Sequence, residues 1–251
     1  MDKVRVDAPA DGVRLITLTD PDRRNAMGSQ MGAELRQAVA TIAADDDARA
    51  VVVTGQGKAF CAGADLPALF GDASRPVTAT HTELQAYYRA FLEVGDLAIP
   101  TVAAVNGPAV GAGLNLAMAC DVRLAGSDAA FGATFTRIGL HPGGGCTHFL
   151  VQTLGSSRAL RTLLLGETLD ARQAVDWGLA DGPEDDPLAA AIALAERFAE
   201  VEPALARHVK RAVGIAVTTG DLGATLEYES WAQAASASSE QLRSWVARFQ
   251  P

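Results

Sequence analysis

Only three cysteines occur in the 251 residues, Cys61, Cys120 and Cys146. They show neither close pairing nor zinc-ligand spacing, which argues against a disulfide framework and a cysteine metal site and leaves them as small buried residues. No metal is expected. No apolar run approaches the length of a membrane span, and the opening residues Met1-Asp2-Lys3-Val4-Arg5 lack the apolar stretch of a signal peptide. A cytoplasmic location with no membrane partner is therefore expected. Positive charge is in deficit as well, with 21 Lys and Arg against 30 Asp and Glu and a net charge of −9. That balance argues against nucleic-acid binding and offers no general attraction for an anion, so any phosphate must meet a local basic patch. Acidic residues are themselves missing from one long stretch, since none lies between Asp128 and Glu167.

What the chain does have is apolar character at 49 % of its residues, enough to bury a sizeable core as one domain or as a domain with an appendage. Two stretches of small residues, Cys61-Ala62-Gly63-Ala64-Asp65 and Asn106-Gly107-Pro108-Ala109-Val110-Gly111-Ala112-Gly113, each follow a short β-branched run. Where a strand ends in residues this small and turns into a helix, main-chain N–H groups are bare enough to point at a ligand oxygen. Two such groups converging on one carbonyl form an oxyanion hole, which stabilises the enolate or tetrahedral oxyanion of an activated acyl compound. The competing explanation is that small residues here only permit tight strand-to-helix packing.

The rest of the sequence alternates strands and helices as far as about residue 186. Val13 to Thr19, Ala50 to Thr54, Thr101 to Asn106 and Asp121 to Ala125 read as strands. Ser29 is placed to cap a helix whose Met31, Leu35, Val39 and Ile42 share a face, and a second helix carries Leu84, Tyr88, Phe91 and Leu92. Phe70 to Thr80, with Gly71, Ser74 and Pro76, reads as a mobile surface loop, a plain connector or a gate over the neighbouring turn. From about Pro187 the pattern becomes helical: Ala189 to Glu200, Pro203 to Val217 and Leu222 to Phe249. Periodicity alone says α/β.

The order and spacing of Val13 to Thr19, Arg24-Asn25-Ala26, Ala50 to Gly55, Lys58 to Asp65 and Asn106 to Asp121 are distinctive. Together with Phe131-Gly132 and Gly139 to Gly145, they resemble the enoyl-CoA hydratase/isomerase (crotonase) superfamily over nearly the whole chain. The resemblance implies a crotonase-like spiral of repeated ββα units over 1–186, holding an acyl-CoA site. It also implies a C-terminal helical trimerisation region over 187–251, and hence a homotrimer or a dimer of trimers. A coenzyme A thioester would be substrate or ligand, with no separate cofactor, in fatty acid metabolism. By the same resemblance Ala62 and Ala112 supply the two oxyanion N–H groups, and Gly63, Ala64, Asp65, Gly111 and Gly143 lie around the acyl group. Arg24, Asn25 and Ala26 would follow the pantetheine and adenine of CoA, with Arg24 and Lys58 as local phosphate partners.

One step departs from the family. Hydratases of this group activate water with two glutamates, and the corresponding positions here hold Asn115 and Phe135, neither of which exchanges a proton near neutral pH. His141, just before Pro142-Gly143, is the candidate substitute, since an imidazole suits proton transfer; a packed or solvent-facing loop histidine is the alternative. His148 is a weaker candidate on a helical segment. Asp65 could act on substrate or cap the following helix. Thr134, Thr136 and Arg137 could bind a polar acyl group, and Tyr228 and Trp231 could wall the pocket or an interface, or simply pack in a core. The expected function is an acyl-CoA-processing enzyme that works through a thioester enolate. The alternatives are a catalytically silent acyl-CoA carrier with Phe135 as apolar lining and a purely structural subunit.

Overall fold

The computed structural model describes residues 2–249. Residues up to Ala199 form one compact unit and those from Glu200 a second. The first unit is built on a six-stranded sheet in the order β1-β2-β3-β4-β6-β9. Its strands are β1 (Val4–Ala10), β2 (Val13–Leu18), β3 (Ala50–Gly55), β4 (Thr101–Val105), β6 (Val122–Gly126) and β9 (Asp181–Glu184). β1 and β2 pair antiparallel and every later pairing is parallel. β5 (Pro108–Val110), β7 (Ala130–Gly132) and β8 (Thr168–Asp170) make a second, small sheet.

The spiral follows from where successive strands go. β4 lies in the large sheet, the chain turns at Asn106-Gly107, β5 enters the small sheet, and α4 (Ala112–Ala119) returns. β6 and β7 repeat that path, and β5 pairs with β7 in parallel. Cys61, after β3, forms a parallel bridge with Ala109 and so stands where the second strand of the preceding turn would lie. This is the fold class implied by the family resemblance.

β3 and β4 are buried along their whole length because both faces of the sheet are covered. Side chains alternate between the faces. Ile16, Val51, Val53, Ala103 and Val105 point into the larger core, where α1 (Ser29–Ala43) contributes Met31, Leu35, Val39 and Ile42. Leu15, Val52, Val102 and Ala104 point the other way, onto Ala191 and Ala195 of α7 (Pro187–Ala199). Helix 187–199 thus closes the second face of the sheet. The expected division after residue 186 falls one helix too early: α7 is apolar because it covers a sheet, and the compact units divide at Ala199 and Glu200.

Three local expectations are also corrected. The cap of α1 is Gly28, with Ser29 the first helical residue and no side-chain cap bond. The expected loop from Phe70 to Thr80 is shorter, since α2 (Leu66–Phe70) and α3 (Val77–Leu92) take both its ends and Asp72 organises the turn by accepting from Ser74 N and Oγ. The single helix expected over Leu222 to Phe249 is two, α9 (Leu222–Ser236) and α10 (Glu240–Ala247), because Ser239 accepts from Leu242 N and starts a new helix. α5 (Cys146–Leu165) and α6 (Ala171–Asp176) complete the first unit.

In the second unit α8 (Pro203–Thr219) packs on α9, and His208 Nδ1 lies 2.8 Å from the Tyr228 hydroxyl. None of the described residues of α8, α9 or α10 is buried, and Trp231 is 59 % exposed, so it is no core residue of this chain. No described helix is long and apolar enough to cross a membrane.

Candidate active site

The two small-residue turns run side by side. Cys61 N–H donates to Pro108 O (3.1 Å) and Val110 N–H donates to Cys61 O (2.9 Å). The approach is close enough that a side chain on Gly113 would collide with the Cys61 carbonyl. Gly63 adopts a φ of 107°, and a Cβ there would stand 2.9 Å from Val110 O and 4.0 Å from Ala112 N. Glycine is needed at both positions for backbone to meet backbone.

Which N–H groups remain free follows from the pairing. Ala112 opens α4, where the first intrahelical bond from this end runs from Asn115 N to Gly111 O (3.0 Å), so the Ala112 donor has no helical partner. On the other turn Met27 N–H donates to Gly63 O (2.7 Å) and Asp65 N–H to Met27 O (3.2 Å), around a parallel bridge between Met27 and Ala64. In such a bridge the residue between the two bonded neighbours turns its own N–H to the opposite side. Ala64 therefore presents its donor away from Met27, and it lines the cavity. The expectation for Ala62 is corrected: its N–H donates to Arg24 O at 2.9 Å and is already used. Ala64 and Ala112 each line the cavity with an N–H given to no described acceptor.

Both turns open on a cavity of about 270 Å³ within the first unit. Its apolar walls include Leu66, Leu69, Phe91, Phe135 and Leu140, and its side-chain polar groups come from Asn115, Thr134, Tyr87, Tyr88 and His141. Of the residues expected here, Ala62, Gly63, Ala64, Gly111, Ala112, Asn115, Phe135, His141 and Gly143 do line it. No described lining residue carries a carboxylate.

Asn115 is 2 % exposed and its Nδ2 donates to Gly143 O at 2.8 Å. Its Oδ1 is buried without a partner. Phe135 sits in a 3₁₀ turn over Thr134–Ile138, its ring 3.8 Å from where a Gly111 Cβ would be. His141 is exposed, with Nδ1 2.7 Å from Pro142 O. A carbonyl only accepts, so Nδ1 carries the hydrogen and Nε2 is the acceptor of the neutral ring.

Other expected residues lie elsewhere. Asp65 caps α2 through Ala68 N (3.4 Å) and pairs with Arg23 (2.8 Å), which holds its carboxyl below the ordinary value. Asn25 is fully buried: its Oδ1 accepts from Asp20 N (2.9 Å) and its Nδ2 donates to Gln56 O (3.0 Å) and Ala59 O (2.8 Å). It fastens the turn and offers no side-chain group to a ligand. Arg24 and Lys58 are exposed and form no ion pair with a described residue; Ala26 is half-buried. His148 is exposed on α5 against Phe149, outside the cavity. Thr136 Oγ1 donates to Leu163 O (3.0 Å) and Arg137 is exposed, so only Thr134 of that trio reaches the site. Burial pushes the Cys61 thiol up to about 11 and Cys146 up to about 12, and Cys120 is buried as well.

The aromatic wall from α3 is the part that sequence reasoning missed. Tyr87, Tyr88 and Phe91 are mutual ring neighbours, with Tyr87 and Phe91 centroids 5.8 Å apart. Tyr87 donates to Met27 O at 3.2 Å, and burial raises both phenols. The available signal was two adjacent tyrosines on a helix otherwise patterned like a core helix.

Fold and site together define an α/β spiral with a largely apolar cavity lined by two small-residue turns. The family profile for enoyl-CoA hydratase/isomerase matches residues 9–250. A probable enoyl-CoA hydratase of Mycobacterium tuberculosis is 52 % identical over 186 residues, 73 % of this chain and 70 % of that protein. The 1,2-epoxyphenylacetyl-CoA isomerase of Escherichia coli is 34 % identical over 199 residues, 79 % of this chain and 72 % of its own length. The crystal structure of an enoyl-CoA hydratase from Bacillus anthracis superposes with a TM-score of 0.89 at 29 % identity, covering 98 % of this chain and 95 % of that one. The chain belongs to the enoyl-CoA hydratase/isomerase family of the crotonase superfamily.

Proposed function

We propose that this protein is an enzyme that processes acyl-CoA thioesters through an enolate, with the thioester oxygen held by the N–H groups of Ala64 and Ala112. The supporting observation is the packing of Gly63 against Ala112 N, which brings two otherwise unused donors to one end of an apolar cavity. When an α-proton leaves the acyl group, the charge moves onto the thioester oxygen, where fixed main-chain dipoles stabilise it without reorganising. His141 Nε2 is the acceptor for that proton, since Nδ1 is committed to Pro142 O. Asn115 and Phe135 orient and shield the acyl chain. Arg24 and Lys58, exposed cations in a net-negative chain, serve the CoA phosphates.

A second reading, a silent acyl-CoA carrier, is favoured by the absence of a carboxylate among the described cavity residues. Incubation in heavy water with saturated, enoyl and aromatic acyl-CoAs, followed by mass spectrometry, separates the two. Deuterium in a recovered thioester, or a product of changed mass, is expected of the enzyme. Unchanged masses across thioesters that demonstrably bind would establish the carrier.

The assembly that suits this chain is a homotrimer or dimer of trimers. Leu205, Val209, Val213 and Val217 recur every four residues on α8, and all are exposed. Sedimentation of the purified chain tests this, and a monomer at micromolar concentration would refute it.

A further inference from the structure

The pairing that turns the Ala64 N–H toward the cavity runs through one residue, Met27. Its N–H donates to Gly63 O (2.7 Å) and its carbonyl accepts from Asp65 N (3.2 Å), one bond on either side of Ala64. The position of Met27 therefore sets the direction of the Ala64 donor. Met27 O also accepts a hydrogen bond from a side chain: the Tyr87 hydroxyl, 60 residues along the chain on α3, donates to it at 3.2 Å.

The surroundings give that bond weight. Tyr87 lines the acyl cavity, and Tyr87 and Met27 both line a second cavity of about 360 Å³ among α1, α2 and α3, together with Gly28, Gly32 and Ala68. Open space beside Met27 leaves less packing to hold it, so a directional bond counts for more there. The donor itself is well anchored, since the Tyr87 ring packs edge-on against Tyr88 and Phe91, with centroids 6.2 and 5.8 Å away. Burial raises the phenol, so the hydroxyl keeps its proton at neutral pH. Hydrogen bonds thus run without a break from α3 through Met27 to the two neighbours of Ala64.

We propose that Tyr87 is a positioning residue for the oxyanion donor at Ala64: its hydroxyl fixes the Met27 carbonyl, and Met27 in turn aims the Ala64 N–H at the thioester oxygen. This rests on the acyl-CoA reading above and adds a residue that acts on the reaction through the main chain, without meeting the reacting atoms. A donor held off its mark loses much of its effect on a developing oxyanion, while the rest of the ligand binds as before.

The test is Tyr87→Phe in the full chain, which removes the hydroxyl and keeps the ring. Butyryl-CoA labelled with carbon-13 at the thioester carbonyl reports through its infrared band, a readout that needs no turnover. The band should move to lower wavenumber on binding the wild-type protein and return part of the way to its solution position in Tyr87→Phe. Deuterium uptake into butyryl-CoA from heavy water should slow about three- to tenfold, with KM within about twofold. S-butyl-CoA, the thioether without the carbonyl oxygen, makes no use of Ala64 and should bind both proteins equally in calorimetry. Meta-fluorotyrosine at position 87 keeps the hydroxyl and should keep the wild-type band; loss of the shift there too would trace the effect to the ring and overturn the proposal. An unchanged band in Tyr87→Phe would overturn it, and so would equal weakening of butyryl-CoA and S-butyl-CoA, which would make Tyr87 part of the cavity wall alone. A wild-type protein that binds no thioester, or leaves the carbonyl band unmoved, would instead sink the acyl-CoA reading itself, and this inference with it.

Discussion

Part of the cavity lining is main chain and part is side chain. The donor end is held by parallel pairing between Cys61 and Ala109, by the Met27–Ala64 bridge and by glycines that admit no side chain. The side-chain wall comes from α2, α3, α4 and residues 134–143, with contacts such as Asn115 to Gly143 between them. A stabilised oxyanion needs only N–H groups at fixed positions, which any small residue supplies. Proton transfer and substrate choice need particular side chains. The main-chain part can therefore stay the same while the side-chain part defines what the protein does.

Breaking the wall should cost most. His141→Ala is expected to lower turnover by about 10²- to 10⁴-fold with thioester affinity little changed, as befits a general base; steady-state rates beside calorimetry check it, and full activity would remove His141 from the mechanism. Next comes the donor end. Ala112→Pro deletes one N–H at the first helical position, where proline is tolerated, so a folded protein slower by about 10²- to 10³-fold is expected. Circular dichroism and the rate together decide this, and an unchanged rate would exclude Ala112 as a donor.

Gly144→Ala attacks the joint between wall and α4. At a φ of 65° its Cβ would stand 2.6 Å from Asn115 Nδ2 and 2.7 Å from Phe91, so a stability loss of about 1–3 kcal/mol is expected in a urea melt. The smallest effect belongs to Asp65, which supports the donor turn from outside. Its hydrogen bond to Arg23 holds the carboxyl below the ordinary 3.8, so the stabilisation is complete above that pH and fades as pH falls through the lower folded value. Arg23 is 55 % exposed and solvent screens the pair. Asp65→Asn should lower the melting temperature slightly at pH 7, and the difference should narrow below pH 3.8. A gap constant across that range would leave only the cap.

Much of the donor end is legible in the sequence because spacing in a tight turn leaves few geometries. The positions of Asn115 and Phe135 follow from the Gly-Ala-Gly and Phe-Gly landmarks, and both line the cavity. The choice between Ala62 and Ala64 is not legible in the same way, because the direction of an N–H depends on the strand beside it. Met27, distant in sequence, pairs with Gly63 and Asp65 and so turns Ala64 outward, while the Arg24 carbonyl takes Ala62. The aromatic wall stays hidden for a similar reason: helical spacing shows that Tyr88 and Phe91 share a face, but not that the face meets a cavity. The helix at 187–199 has the same ambiguity, since its apolar stripe suits a subunit interface as well as a sheet, and Ala191 and Ala195 settle on the sheet.

The most direct test of the central claim is the isotope-edited infrared spectrum of an acyl-CoA labelled with carbon-13 at the thioester carbonyl and bound to the protein. Two main-chain donors at Ala64 and Ala112 predict a carbonyl band moved to lower wavenumber on binding, with the shift reduced in Ala112→Pro. A band that stays at its solution position in a demonstrably bound complex would contradict the claim.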